Sequence, residues 1–512
     1  MAEVSRTARV IQNAKVALFF YCINLILQFF SRKIFLDYLG AELLGLNTTA
    51  QNLLQFLNLA ESGIGTAVAF ALYKPLSQKN RQEIIDIVSL QGWFYRWVGL
   101  FVIAGSIVLM AFFPWIFAKA DVPLVYVYGT FIAFLISALL GYFVNYKMIV
   151  LSADQKEYKI TIETQSIKVI KIFIQMLAIW KLPHGYLWWM CLEVIASVAV
   201  SIRLNLVIQK EYPWLQTKIS QGGKLQKKYS YLLIKTKQLF FHKIGSYVLT
   251  QTTPLIVYAF ASLTLVAIYG NYLIIMTGCL LLANAFFRGI NSSVGNLVAG
   301  GDNLKIKQIF WEVFTLRLYF ASVICTGIFY LSDSFITLWI GYEYLLPRES
   351  LFILICIYFI QMSRSCEIFL SAYGLFKDIW APIVEAVLNI GLSIALGYFW
   401  GIFGIFMGIL VSLIVVINGW KPYFLFKEGF KQCVLEYVRT YTVKLILIFI
   451  SSVLTYLFLS SNPLTKVYNF FDWVYNAAIV VIASLFFSTL IFYLFDSAFR
   501  SLVSHLIYTL KK

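Results

Sequence analysis

Fourteen apolar runs follow one another along this chain, from 15–37 and 43–73 near one end to 441–460 and 474–495 near the other. Each is long enough to cross a hydrocarbon layer, which takes roughly 20 apolar residues in a helix. Inside a bilayer the backbone must satisfy its own polar groups, so runs of this length predict helices. With 61% hydrophobic and only 13% charged residues, the chain reads as a polytopic membrane protein and not as a soluble enzyme. The first run follows Arg6, Arg9 and Lys15, is too long for the core of a signal peptide, and has no small-residue cleavage site after it. It is expected to be a retained first helix.

The net charge of +17 invites a nucleic-acid reading, but the placement of the charge argues otherwise. With the N-terminus inside, the cytoplasmic segments hold 26 of the 41 Lys and Arg residues, seven of them between Lys210 and Lys237. The outside ends hold Arg32, Lys33, Lys119, Lys181, Arg348 and Lys466. This is the positive-inside pattern, and it puts both termini in the cytoplasm with an even number of helices. The excess charge then serves topology and attraction to anionic membrane lipids, and no nucleic-acid partner is expected.

A weak internal repeat organises the spans. Leu151-Ser152-Ala153 recurs as Leu370-Ser371-Ala372, and Gly185 matches Gly404, both at an offset of 219. The stretch 113–116 resembles 336–340 at an offset of 224, and Gly65 falls where Gly295 does 230 residues later. The shared order and nearly constant offset predict a duplication of six helices with both halves starting on the same side. The expected organisation is an N-lobe at 1–208, a basic cytoplasmic linker at 209–237, a C-lobe at 238–425, and a C-terminal helix pair with a tail at 426–512. The linker reads as a solvated loop, with a basic amphipathic surface segment as the alternative. The fold class is therefore an all-α polytopic membrane protein of about 14 transmembrane helices. Two six-helix lobes, related by a parallel repeat, are expected to surround a central cavity.

Polar residues at helical spacing mark candidate walls of that cavity. The second span carries Asn47, Gln51, Gln55, Asn58, Glu61, Ser62 and Gly65; the first carries Tyr21, Asn24, Gln28 and Arg32. The seventh offers Lys243, Tyr247, Gln251, Pro254 and Tyr258, and the eighth Thr277, Asn284, Arg288, Asn291 and Gly295. Intramembrane charge is costly and points to function or to a partner. The candidates are Arg32, Glu61, Lys168, Lys171, Lys243, Arg288, Arg317, Arg364, Glu367 and Glu385. Lys171 and Lys243 lie near span ends and can snorkel, while Arg364 and Glu367, three apart, can neutralise one another. Arg32 either snorkels or lines the cavity. Arg288, with no carboxylate a turn away, either lines the cavity or pairs with Glu61. Glu61 is a coupling site, half of a gate, or an arginine partner, and Glu385 is a second coupling candidate. Arg32, Lys243 and Arg288 outnumber Glu61 along this lining and favour an anionic substrate, since such groups suit phosphate oxygens. The neighbouring tyrosines and amides suit a hydroxyl-rich group such as a sugar.

Other chemistry is poorly supported. His184, His242 and His505 are scattered, and the seven cysteines form no CxxC pair and read as small packing residues, so no metal, disulfide or cofactor is expected. Gly222-Gly223-Lys224-Leu225 is not a phosphate-binding loop. Asn47 and Asn291 match a glycosylation sequon but lie inside spans. Gly397, Gly401, Gly404 and Gly408 are spaced for close helix packing.

Several segments carry a resemblance: Arg32–Gly40, Glu42–Leu46, Asn58–Gly65, Ala71–Leu76, Ile268–Tyr272, Ser293–Ala299 and Phe335–Gly341. In these the chain resembles the Wzx-type O-antigen flippases of the multidrug/oligosaccharidyl-lipid/polysaccharide (MOP) exporter superfamily. After the glutamate of the second span that family carries Leu-Gly, where this chain has Ser62-Gly63. The resemblance implies a non-enzymatic transporter of the bacterial cytoplasmic membrane. By alternating access it would move an undecaprenyl-diphosphate-linked oligosaccharide from the inner to the outer leaflet. It also brings in polysaccharide polymerase and chain-length machinery as candidate partners. The alternatives are a multidrug/cation antiporter of the same superfamily, a glycan polymerase or acyltransferase, and a non-transporting scaffold.

Overall fold

The computed structural model describes residues 6–61, 63–233, 236, 252–299, 302–375, 377–378, 380–462 and 464–510. Among them there is no strand. In chain order the principal helices are α1 (Arg6–Asn58), α2 (Ile64–Ser77), α3 (Arg81–Ala111), α4 (Leu124–Phe143), α5 (Glu157–Lys181), α6 (Gly185–Glu211) and the short α7 (Gly222–Lys228). There follow α8 (Thr253–Phe260), α9 (Leu263–Ala299), α10 (Asn303–Trp339), α11 (Arg348–Ser363), α12 (Cys366–Ala372), α13 (Trp380–Leu413), α14 (Leu435–Ser461), α15 (Phe470–Phe495) and α16 (Ser497–Leu510).

Ten helices among the described residues are long and apolar enough to cross a membrane. Two of them contain a break. α1 runs for 53 residues with Gly40 at φ 82°, and α13 for 34 residues with Gly401 at φ 56°. Both angles belong to the left-handed region that glycine enters without a Cβ clash. Dividing these two at their breaks gives twelve apolar segments among the described residues; α5, 25 residues long, is richer in charge and is not one of them. The predicted span 238–262 falls mostly outside the described residues, and its last part is α8.

The chain divides into two compact units, Met1–Ala267 and Ile268–Lys512. Leu46, Leu72, Ile87, Leu90, Phe113, Phe131 and Tyr186 are buried in the core of unit 1. In unit 2 an aromatic cluster of Phe310, Phe314, Phe369, Phe426 and Tyr437 joins α10, α12, the segment before α14 and α14 itself.

Each unit carries the same local turn at the predicted repeat. The Lys156 amide donates to the Leu151 carbonyl at 2.8 Å around Gln155 (φ 59°), and the Leu375 amide donates to Leu370 at 2.9 Å around Gly374 (φ 67°). These are paired helix C-caps with the left-handed residue at matching positions. The paired glycines match in role as well. A Cβ on Gly185 would stand 3.0 Å from the Ile179 Cα, and one on Gly404 only 2.0 Å from the Leu396 carbonyl oxygen. At Gly408 it would stand 2.4 Å from the Ser393 amide. Backbones here approach too closely for a side chain, whereas Gly401 faces open space and serves the break.

Two expectations need correction. Residues 212–233 are not a solvated loop: Tyr212, Leu215, Leu225, Tyr229 and Leu232 are buried, because their apolar side chains close over the start of α3. The cysteines do not share one packing role either, since Cys325 and Cys366 are buried while Cys22, Cys191 and Cys433 are exposed.

Candidate functional site

The second predicted span is not one helix. α1 ends at Asn58, a single tight turn covers Leu59–Glu61, and Gly63 at φ 100° opens α2. Glu61 therefore sits at a helix break, where polar side chains can satisfy both the carboxylate and the interrupted backbone. Its Oε1 accepts the Tyr95 hydroxyl of α3 at 2.6 Å. One turn earlier the Asn58 Oδ1 accepts the Tyr142 hydroxyl of α4 at 2.9 Å. The two tyrosine rings meet edge to face at 5.5 Å. The Tyr95 bond occupies only one of the two Glu61 carboxylate oxygens.

The break also divides the polar stripe. Asn47 is buried and accepts the Tyr186 hydroxyl at 2.7 Å, while Gln51 and Gln55 are exposed. On the first span Asn24 donates to Gln165 of α5 at 3.0 Å and to the Phe20 carbonyl at 2.7 Å, Gln28 is exposed, and the Arg32 guanidinium donates to the Ala267 carbonyl at 2.9 Å. Asn24 is thus engaged in a helix–helix contact and Arg32 in a backbone contact, both within unit 1. Lys243, Tyr247 and Gln251 lie outside the described residues, as do the side chains of Asn284, Arg288 and Asn291. The expected meeting of Glu61 and Arg288 falls with them.

Lys171 does not snorkel. It pairs with Glu193 of α6 at 2.7 Å, and Gln175 adds a further bond to that carboxylate at 3.3 Å. The sequence did offer a signal for this, since Glu193 is a carboxylate well inside a predicted span. Tyr95 and Tyr142 gave none; a tyrosine in an apolar helix shows its partner only once the helices pack.

In unit 2, Glu385 is 3% exposed and Asn389, one turn on along α13, is 2% exposed. Among the described residues the Glu385 Oε1 and Asn389 Oδ1 have no hydrogen-bond partner. Arg364, Glu367 and Lys421 are the charges that act on Glu385. Arg364 pairs with Glu367 at 2.7 Å, as their spacing predicts, and Lys421 with Asp378 at 2.6 Å. Arg317 donates to the Arg364 carbonyl at 3.3 Å. Two buried acceptors one turn apart, with cations nearby but not bonded to them, suit a proton or a small cation as their missing partner.

Unit 2 also holds a groove of about 840 Å³ between α10, α11, the end of α13 and α14. Its walls include Phe329, Phe352, Phe359, Leu410, Leu445 and Phe449. At one end Asn418 donates to the Tyr441 hydroxyl at 3.0 Å. Asn418, Tyr437 and Tyr441 also line a small neighbouring cavity that carries Arg364, Glu367 and Lys421. An apolar trough that ends on polar and then charged groups suits a molecule with a long hydrocarbon part and a polar head. No sequence pattern announced it, because the spans that form it are uniformly apolar.

No family model matches the sequence, and no curated protein matches it. Solved structures do. The chain is similar to the lipid II flippase MurJ in an inward closed conformation, with a TM-score of 0.62 and 16% identity over 94% of this chain and 99% of that one. It is also similar to an inward-facing multidrug resistance MATE family transporter of the MOP superfamily, with a TM-score of 0.58 and 12% identity over 80% of this chain and 97% of that one. The chain shares the fold of these two solved structures. That fold accounts for the all-helical architecture and for the many apolar crossings.

Proposed function

We propose that this protein is a flippase of the Wzx type. Its substrate would be an undecaprenyl-diphosphate-linked oligosaccharide, the repeat unit of an O-antigen, capsule or exopolysaccharide. It would carry this lipid by alternating access from the inner to the outer leaflet of the bacterial cytoplasmic membrane, with both termini in the cytoplasm. The observation that carries this reading is the likeness to a lipid II flippase over 94% of the chain. The apolar groove of unit 2, which ends at Asn418 and Tyr441, supports a substrate with a hydrocarbon chain. Arg32, Lys243 and Arg288 are assigned to the diphosphate, and Asn24, Gln28, Asn58, Tyr247, Gln251, Asn284 and Asn291 to the sugar-facing lining. Glu61 and Glu385 are assigned to coupling or gating, and polysaccharide polymerase and chain-length machinery are its working partners.

A deletion strain tests this reading. Loss of surface glycan, restored by the native gene and not by a well-expressed Arg288→Ala variant, is the expected result. Normal glycan in the deletion strain overturns the reading, and normal glycan with the variant overturns the role of Arg288. A multidrug/cation antiporter is the second reading, favoured by the buried acceptors Glu385 and Asn389 and by the MATE likeness. It predicts drug sensitivity with intact glycan.

A further inference from the structure

Residues 212–233 contain four lysines and no acid, yet they are folded onto unit 1. The Ser89 hydroxyl accepts the Lys218 amide at 2.8 Å, and Thr217 and Tyr146 share a hydroxyl bond at 2.7 Å. Gly222 lies flat on the Trp93 ring, where a Cβ would come within 2.1 Å of a ring carbon, so only glycine fits. Leu225 and Leu232 fill the space beneath, and Asp86 accepts both Lys228 at 2.8 Å and the Tyr229 hydroxyl at 3.3 Å. Arg81 stacks over Trp214 at 5.5 Å. The segment is thus a rigid cap on the first turns of α3, with Lys218, Lys224 and Lys227 exposed on its outer side.

Depth along α3 tells what this outer side meets. Trp97 is 60% exposed, and Leu100, Phe101 and Ile107 beyond it are exposed as well, so this face is dressed for hydrocarbon. Gly222 of the cap meets Trp93, whose ring lies against that of Trp97 at 6.2 Å, and aromatic residues of this kind mark a membrane–water interface. The lysines therefore stand at headgroup height.

We propose that this cap is a preformed binding surface for the headgroups of anionic phospholipids in the leaflet it faces. A flexible basic loop would lose conformational freedom on binding; here the buried leucines, Gly222 and the Lys228–Asp86 pair already hold the backbone that carries the lysines. The inference goes beyond the transport reading, because it needs only that this end of unit 1 lies at a membrane surface.

The test titrates the full-length, detergent-solubilised protein with phosphatidylglycerol and separately with phosphatidylcholine, counting lipid adducts by native mass spectrometry. The native protein should prefer phosphatidylglycerol. Lys218→Gln/Lys224→Gln/Lys227→Gln should weaken its binding on the order of a hundredfold, from about 1 kcal/mol per lysine. The corresponding triple arginine variant, equally folded and equally charged, should retain it, and Lys119→Gln/Lys466→Gln should change nothing. Undiminished phosphatidylglycerol binding by the triple glutamine variant overturns the proposal, as does its loss in the triple arginine variant. A triple glutamine variant that loses undecaprenyl diphosphate while keeping phosphatidylglycerol also overturns it, and would make the cap a docking surface for the transported lipid.

Discussion

Replacing Lys444 with methionine removes one half of the most deeply buried ion pair described in unit 2. Lys444 is 2% exposed and Asp496 7%, and the lysine also donates to the Thr315 hydroxyl at 2.6 Å. The pair ties α14 to α10 and to the junction of α15 and α16, where the Asp496 Oδ1 caps α16 through the Phe499 amide at 2.8 Å. Without Lys444 the aspartate keeps its cap but loses its counter-charge in a place that water does not reach. Breaking one side of a buried pair costs about 3–5 kcal/mol, which for a unit of this size lowers the midpoint of thermal unfolding by about 10 °C. Removing both charges, as in Lys444→Met/Asp496→Asn, should recover most of that loss, because the unpaired charge is what destabilises. Thermal unfolding in detergent, followed by intrinsic tryptophan fluorescence, measures both variants. A single variant within about 1 °C of the native protein, or a double variant less stable than the single, refutes the reasoning. Because α14 also walls the apolar groove, the single variant should slow transport as well.

Three further outcomes follow from the packing. Gly404→Ala should prevent folding, since its Cβ would overlap the Leu396 carbonyl, whereas Gly401→Ala meets open space and should cost about 1–3 kcal/mol for its positive-φ backbone; the yield of monodisperse protein separates them. Tyr95→Phe removes the bond to Glu61 and should cost about 2 kcal/mol, read as a fall of several degrees in the unfolding midpoint. Burial disfavours a charged Lys156, but its bonds to Asp154 and Glu211 outweigh this and raise its pKa above the ordinary lysine value. Its contribution to stability is therefore complete below about pH 10.4, the unfolded value, and is lost as pH rises through the folded one. Unfolding midpoints across the alkaline range should fall more steeply for the native protein than for Lys156→Met, which should itself be up to about 1 kcal/mol less stable at neutral pH.

Much of the fold was legible because hydropathy and glycine placement act locally. The apolar runs correspond to helices wherever the chain is described, and the repeat read from Leu151-Ser152-Ala153 and Leu370-Ser371-Ala372 reappears as two matching helix caps. The site was less legible. A stripe drawn through Asn58, Glu61 and Gly65 assumes an unbroken helix, and Gly63 breaks it; a glycine reads alike in a packed helix and at a turn. Lys171 seemed free to snorkel because Glu193 lies 22 positions away and meets it only across a helix pair. The cap at 212–233 looked like a loop because its few leucines are too short a series to outweigh its lysines until α3 is beside them.

The most direct measurement reconstitutes the purified protein in vesicles with a fluorescent undecaprenyl-diphosphate-linked oligosaccharide and follows its exposure to a membrane-impermeant quencher. A flippase makes the whole lipid pool accessible to the quencher over time, and vesicles without protein leave about half of it protected. Protection that persists with the protein present, under either polarity of a proton or sodium gradient, contradicts the account.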